Sequence, residues 1–131
     1  MTFVKLYLIA LVVFTLIDMV WLLFISRKLY QAKIGHLMAD KVNFVAAGLF
    51  YLLFIGALVF FVISPATDKA SVWYALGAGA FFGLVAYATY DLTNLATLKG
   101  WPVSLTMIDL CWGTFVTGVS CALTTWIGSR I

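Results

Sequence analysis

At 131 residues and 14.5 kDa the chain has room for one domain. It is 65% hydrophobic and 10% charged, with a mean hydropathy of +1.11. Soluble globular chains run near 45–50% apolar and about 25% charged, so a soluble enzyme and a disordered chain are excluded. The net charge of +3 comes from scattered Lys and Arg that cannot form a basic nucleic-acid-binding face. What remains is an integral membrane protein, and without barrel-type alternation it must be built of helices.

The first apolar run predicts a spanning helix over about 3–25, near the ~20 residues a bilayer requires. It is longer than a signal-peptide core, and no small-residue cleavage site comes after it. Thr15, Asp18 and Trp21 recur at steps of three, so they project from one face.

In the connection 26–42, Tyr30, Ile34, Leu37 and Met38 recur at helical spacing, while Arg27, Lys28, Gln31, Lys33 and Asp40 take other faces. That pattern predicts a short helix lying in the headgroup plane. The single histidine, His36, is expected to pair with Asp40 at the surface. With no second histidine and no clustered cysteines, neither a metal site nor a cofactor is expected.

The second span is placed at about 43–64 and ends at Ser64-Pro65, a turn signal. Its aromatic residues, Phe44, Phe50, Tyr51, Phe54, Phe60 and Phe61, read as a lipid-facing surface rather than a cofactor wall. The third span, about 71–96, repeats Gly79, Gly83, Tyr87 and Asp91 at i+4. A Gly-x-x-x-Gly face meets another helix, which turns Asp91 inward; Asn94 and Thr97 lie one turn nearer the surface.

After the Gly100-Trp101-Pro102 break, the fourth span is placed at about 103–127. Thr106, Asp109 and Trp112 repeat the spacing of Thr15, Asp18 and Trp21. The repeat is short and its flanks match poorly, so similar helix surroundings explain it better than an inverted repeat. Thr114, Thr117, Ser120, Cys121 and Thr124 form a small-polar face suited to helix packing. Cys111 and Cys121 stand ten helical residues apart, about 15 Å, too far for a disulfide. Tyr7, Trp73, Tyr74, Trp101 and Trp126 fall near span ends, as an interfacial aromatic belt would.

Taken together the elements predict an all-α polytopic membrane protein: one transmembrane domain over 1–131, four helices and an interfacial helix in the first connection. Arg27, Lys28, Lys33, Lys41 and Lys99 lie in the first and third connections, and Lys5, Lys69 and Arg130 lie on the opposite side. This bias places both termini outside and the 26–42 connection in the cytoplasm.

There is no glutamate, and three of the five aspartates fall inside spans. An aspartate at a helix centre costs roughly 2.5–3.5 kcal/mol, so each calls for an explanation. With alternating helix direction Asp18, Asp91 and Asp109 reach one depth, about 7–11 Å inside the boundary. Asn94 and Asn43 open to the same edge, so every helix offers a polar group to one layer. Buried aspartates can be packing glue, each bond worth only ~0.6–2 kcal/mol; three in one layer point equally to a ligand, ion or proton site.

The stretch Tyr90-Asp91-Leu92-Thr93-Asn94-Leu95-Ala96-Thr97-Leu98-Lys99-Gly100-Trp101-Pro102 resembles the signature of a family of small bacterial four-helix inner-membrane proteins known as a domain of unknown function. Asp18-x-x-Trp21, Gly35-His36-Leu37, Phe50-Tyr51-Leu52-Leu53 and Asp109-x-x-Trp112-Gly113 belong to the same resemblance, which covers essentially the whole chain. It implies the topology and the bacterial inner membrane, and lends no mechanism.

The leading functional expectation is a proton-linked transporter or binding protein for a small cationic or amphipathic ligand. Asp91 would be the main residue, Asp18 and Asp109 its partners, with Asn94, Tyr87, Trp21, Trp112, Thr15 and Thr106 shaping the pocket. A membrane-embedded enzyme acting on lipid and an assembly subunit with no ligand site are the alternatives. Membrane lipid and a second copy in a homodimer are the expected partners.

Overall fold

The structure is a computed structural model that describes residues 2–35 and 43–130. Helix α1 spans Thr2–Trp21 and passes through a π-helical turn, Leu22–Ser26, into α2, Arg27–Ile34. Helix α3 spans Phe44–Leu58 and continues through a second π turn, Val59–Ile63, into α4, Ser64–Asp68. Helices α5, Val72–Thr97, and α6, Val103–Arg130, complete the chain. Four continuous stretches, Thr2–Ile25, Phe44–Asp68, Val72–Thr97 and Val103–Arg130, are long and apolar enough to cross a membrane. The chain is all-α, with four spanning helices and no strand among the described residues.

Three features differ from the sequence expectation, each for a local reason. Pro65 does not stop the second span. It sits in the first turn of α4, where a missing N–H costs least, directly after the wide π turn. The Thr67 hydroxyl donates to the Ile63 carbonyl at 2.8 Å, supplying a donor beside the proline. The turn out of α4 closes with Ser71 N–H donating to Ala66 O at 3.0 Å and with Ala70 at φ 52°, a left-handed position usually held by glycine. The second is at α2, where the expected short helix continues from α1 with no break. The expected His36–Asp40 pair, with Leu37 and Met38 of the amphipathic face, lies outside the described residues.

The third concerns the aromatic residues. Trp73 and Trp126 are exposed, as belt residues would be. Trp101 is instead buried with Leu105 and Ile34, where the α5–α6 connection packs on α2. Its Nε1 donates to Thr106 Oγ1 at 3.1 Å, which satisfies the buried indole. Tyr7 donates to the Leu52 carbonyl at 2.9 Å, and Phe54 is buried rather than turned to lipid. Phe44, Phe50, Phe60 and Phe61 remain on the outer surface.

The helices pack antiparallel. Added methyl groups at Gly79, Gly83 and Gly118 would strike Cys121, Thr117 or Gly113, and Ala80 respectively, so α5 and α6 run backbone to backbone. Along α1 the buried stripe Leu6, Ala10, Phe14, Asp18 and Trp21 has helical spacing and faces the bundle. Leu6 lies under Gly128 near one end of α6, and Trp21 stacks on Trp112 nearer the other. The main apolar core joins Leu6, Ala10 and Phe14 to Ile55, Leu58, Val62, Ala75 and Val116. A smaller cluster of Ile34, Trp101 and Leu105 closes the opposite end. Between them lie the aspartates.

Candidate functional site

The site is assembled by helical repeats that carry a polar residue on a buried stripe. Asp18 lies one turn past Phe14 on α1, Asp91 continues the Gly79-Gly83 face on α5, and Asp109 lies one turn past Leu105 on α6. All three are buried, Asp91 completely.

Asp18 is well provided with donors. The Tyr51 hydroxyl donates to its Oδ2, and the Trp112 Nε1 donates to its Oδ1 at 3.3 Å. Trp21 stacks on Trp112 with ring centroids 4.6 Å apart and planes 10° from parallel. The two Asp-x-x-Trp segments therefore meet across the α1–α6 contact, with one tryptophan bonding the aspartate of the other segment.

Asp91 is the opposite case. No hydroxyl, indole or amide group donates to either of its carboxyl oxygens. Its side-chain partner is the carboxyl of Asp109 across the α5–α6 contact, close enough to share a hydrogen bond when one of the two acids is protonated. Tyr87 lies in electrostatic reach of Asp18, Asp109 and Asp91, and its ring packs on Gly113, where no side chain would fit. The layer thus consists of a hydrogen-bonded Asp18 and a directly facing Asp91–Asp109 pair, with Tyr87 between them. Among the described residues no three His, Cys, Asp or Glu side chains come close enough to hold a metal ion.

The remaining expected residues divide. Trp21 and Trp112 join the layer through their stack and the indole hydrogen bond. Asn94 is half-buried beside the Tyr90 hydroxyl and makes no bond to Asp91. The hydroxyl of Thr106 is taken by Trp101 and the Pro102 carbonyl, and half-buried Thr15 has no side-chain hydrogen bond. Asn43 is spent as the cap of α3, accepting from Ala46 N–H at 3.1 Å. The polar group that the second span brings to the layer is Tyr51. Its spacing sets it among lipid-facing rings, although it is the one hydrogen-bonding side chain between Asn43 and Ser64.

On the small-polar face of α6, Thr117, Ser120 and Thr124 are buried, as packing residues would be, and Thr114 donates to the Leu110 carbonyl at 2.7 Å. Cys111 is exposed and Cys121 buried, and both are free thiols. A cavity of about 330 Å³ opens beside the layer, lined by Phe50, Ala86, Tyr87, Tyr90 and Asp109.

A model of the family described as "Predicted membrane protein (DUF2177)" matches residues 3–126, nearly the whole chain. The chain belongs to this family. The match agrees with the integral membrane protein that composition required. No curated protein and no solved structure matches the chain.

Proposed function

We propose that the chain is a proton-linked transporter or binding protein for a small organic cation, with the Asp91–Asp109 pair as the site where proton and cation exchange. The observation that supports this reading is the full burial of Asp91 with a second carboxyl, Asp109, as its facing side-chain partner in place of a neutral donor. Two facing carboxylates in a low-dielectric interior need a proton or a cation between them. A group serving only as glue would be bonded to neutral donors across the helix contact, as Asp18 is to Tyr51 and Trp112. Asp91 instead faces another acid, an arrangement that costs burial of a second ionisable group and supplies a place where a proton can be shared or exchanged.

In this reading one proton leaves the pair as one cation arrives, so charge in the bundle is conserved. Tyr87 spans the distance to Asp18 and lets the third carboxyl respond to the exchange. The protein sits in the bacterial inner membrane with both termini outside, and it works as a homodimer. Cross-linking in native membranes should capture that dimer; recovery of monomer alone would remove it from the reading.

The test compares Asp91→Asn and Asp91→Leu in proteoliposomes. Uptake of radiolabelled tetraphenylphosphonium is driven by a pH gradient, with the membrane potential clamped at zero. Wild-type protein should show gradient-driven uptake, and both variants should lose most of it. Thermal unfolding in detergent should show both variants at least as stable as wild type, because one of two facing buried carboxyls has been removed. Full uptake by a well-folded Asp91→Asn protein, or marked destabilisation by Asp91→Leu, would return the layer to a packing role.

A further inference from the structure

The cavity beside the carboxyl pair narrows the class of cation. Its walls come from three helices: Phe50 of α3; Ala86, Tyr87 and Tyr90 of α5; and Asp109 of α6. Phe50 and Tyr90 are 53% and 56% exposed and form the mouth, while Asp109 at 2% lies at the floor. One helical turn from Ala86 and Phe50, α5 closes against the second span through Phe82, whose ring centroid is 5.9 Å from Phe54 and 6.5 Å from Phe61. The mouth therefore faces the outer surface of the bundle between α3 and α5, among exposed apolar residues that lipid would cover.

The lining decides between occupants. A metal cation needs several good oxygen, nitrogen or sulfur ligands, and the cavity wall offers one carboxyl beside two neutral, weakly ligating tyrosine hydroxyls. An anion would meet that carboxyl, and a plain hydrocarbon tail has no use for it. A substituted ammonium fits every wall, since its alkyl groups shed water cheaply, aromatic faces attract its charge, and a carboxylate balances it.

We propose that this cavity takes the head of an amphipathic quaternary or tertiary ammonium compound, held among Phe50, Tyr87 and Tyr90 with Asp109 as its counter-charge and its tail left between α3 and α5. The assignment rests on the reading that the Asp109 end of the carboxyl pair holds a cation. It adds the ligand's chemical class and its approach from the lipid side.

Tritiated dodecyltrimethylammonium, measured on protein in nanodiscs after subtraction of empty discs, provides the test. Binding should saturate. The uncharged isostere with carbon in place of nitrogen should bind at least about tenfold more weakly. Phe50→Leu and Tyr90→Ala should each weaken ammonium binding by roughly 3- to 30-fold, the range of a cation–π contact. Tyr90→Phe, which restores the ring, should recover most of the affinity lost in Tyr90→Ala. Asp109→Asn should abolish saturable binding.

Equal binding of the ammonium and its isostere, undiminished binding by Asp109→Asn, or equal affinities for Tyr90→Phe and Tyr90→Ala would each overturn the assignment. If the assignment fails while Asp91→Asn still loses gradient-driven phosphonium uptake, the carboxyl pair remains a cation site and only the ammonium cage falls. Ring-dependent ammonium binding with unimpaired uptake by Asp91→Asn supports the cage and removes the proton coupling.

Discussion

Gly83 and Gly48 are both helical glycines, yet their surroundings give them opposite consequences. A methyl group at Gly83 would strike the Gly113 carbonyl oxygen and the Thr117 side chain, whereas at Gly48 it would meet nothing within 4 Å. The first obstacle is partly backbone of a facing helix and cannot step aside. Gly83→Ala should therefore cost about 1–3 kcal/mol, the usual penalty for overpacking, and should shift Asp91 relative to Asp109. Gly48→Ala should be neutral, or stabilise by up to ~1 kcal/mol through helix propensity. Thermal unfolding of the two variants in one detergent checks the pair, and equal midpoints would contradict the close approach of α5 and α6. The same contrast separates the aspartates: Asp18 has two neutral donors on neighbouring helices, and Asp91 has the facing carboxyl of Asp109.

Whole helices decide which residues meet. The two π turns, Leu22–Ser26 and Val59–Ile63, each insert an extra residue into a spanning helix and rotate the helical turns beyond it. One lets the chain pass from α1 into α2 so that Ile34 reaches Trp101, and the other carries the second span through Pro65. The α1–α6 contact is marked by the Trp21–Trp112 stack, close enough for the two indoles to couple electronically. Circular dichroism of wild-type protein should show the split signal of coupled indoles, superposed on the helix bands in the far ultraviolet, and it should be lost in Trp21→Phe. Helix content in the far ultraviolet should stay the same. Persistence of the split signal in that variant would mean that α1 does not pack on α6 through this pair.

At the scale of the molecule, antiparallel packing converts regular spacing along the chain into a single polar layer. Moving four residues forward on α5 meets four residues back on α6. Gly79 thus faces Cys121, Gly83 faces Thr117, Tyr87 faces Gly113, and Asp91 faces Asp109. The layer is sealed on one side by the core around Phe14 and Val116 and on the other by Ile34, Trp101 and Leu105. Orientation in the membrane belongs to this scale too, because it depends on the charge of whole connections. Reporter fusions after Ile131 and within residues 26–42 should place the C-terminus outside and the first connection in the cytoplasm. A cytoplasmic C-terminus would reverse the orientation and leave the layer unchanged, since alternation alone sets its common depth.

The sequence by itself determined the class of fold, because 65% hydrophobic composition and four runs of sufficient length leave only spanning helices. It also located the inward face of α5, since glycines at i+4 and Asp91 share one stripe whatever the partner helix is. Which partners the aspartates find was decided only by tertiary structure. Hydrogen bonding depends on distances between helices, and periodicity within one helix carries no information about them. For that reason Tyr51, one hydroxyl in a span apolar on every face, could not be assigned to Asp18 from its spacing, and Asn94 could be placed near Asp91 without bonding it. The cavity is of the same kind: Phe50, Tyr90 and Asp109 lie far apart in the chain, and only the separation of α3 from α5 brings their side chains around one space.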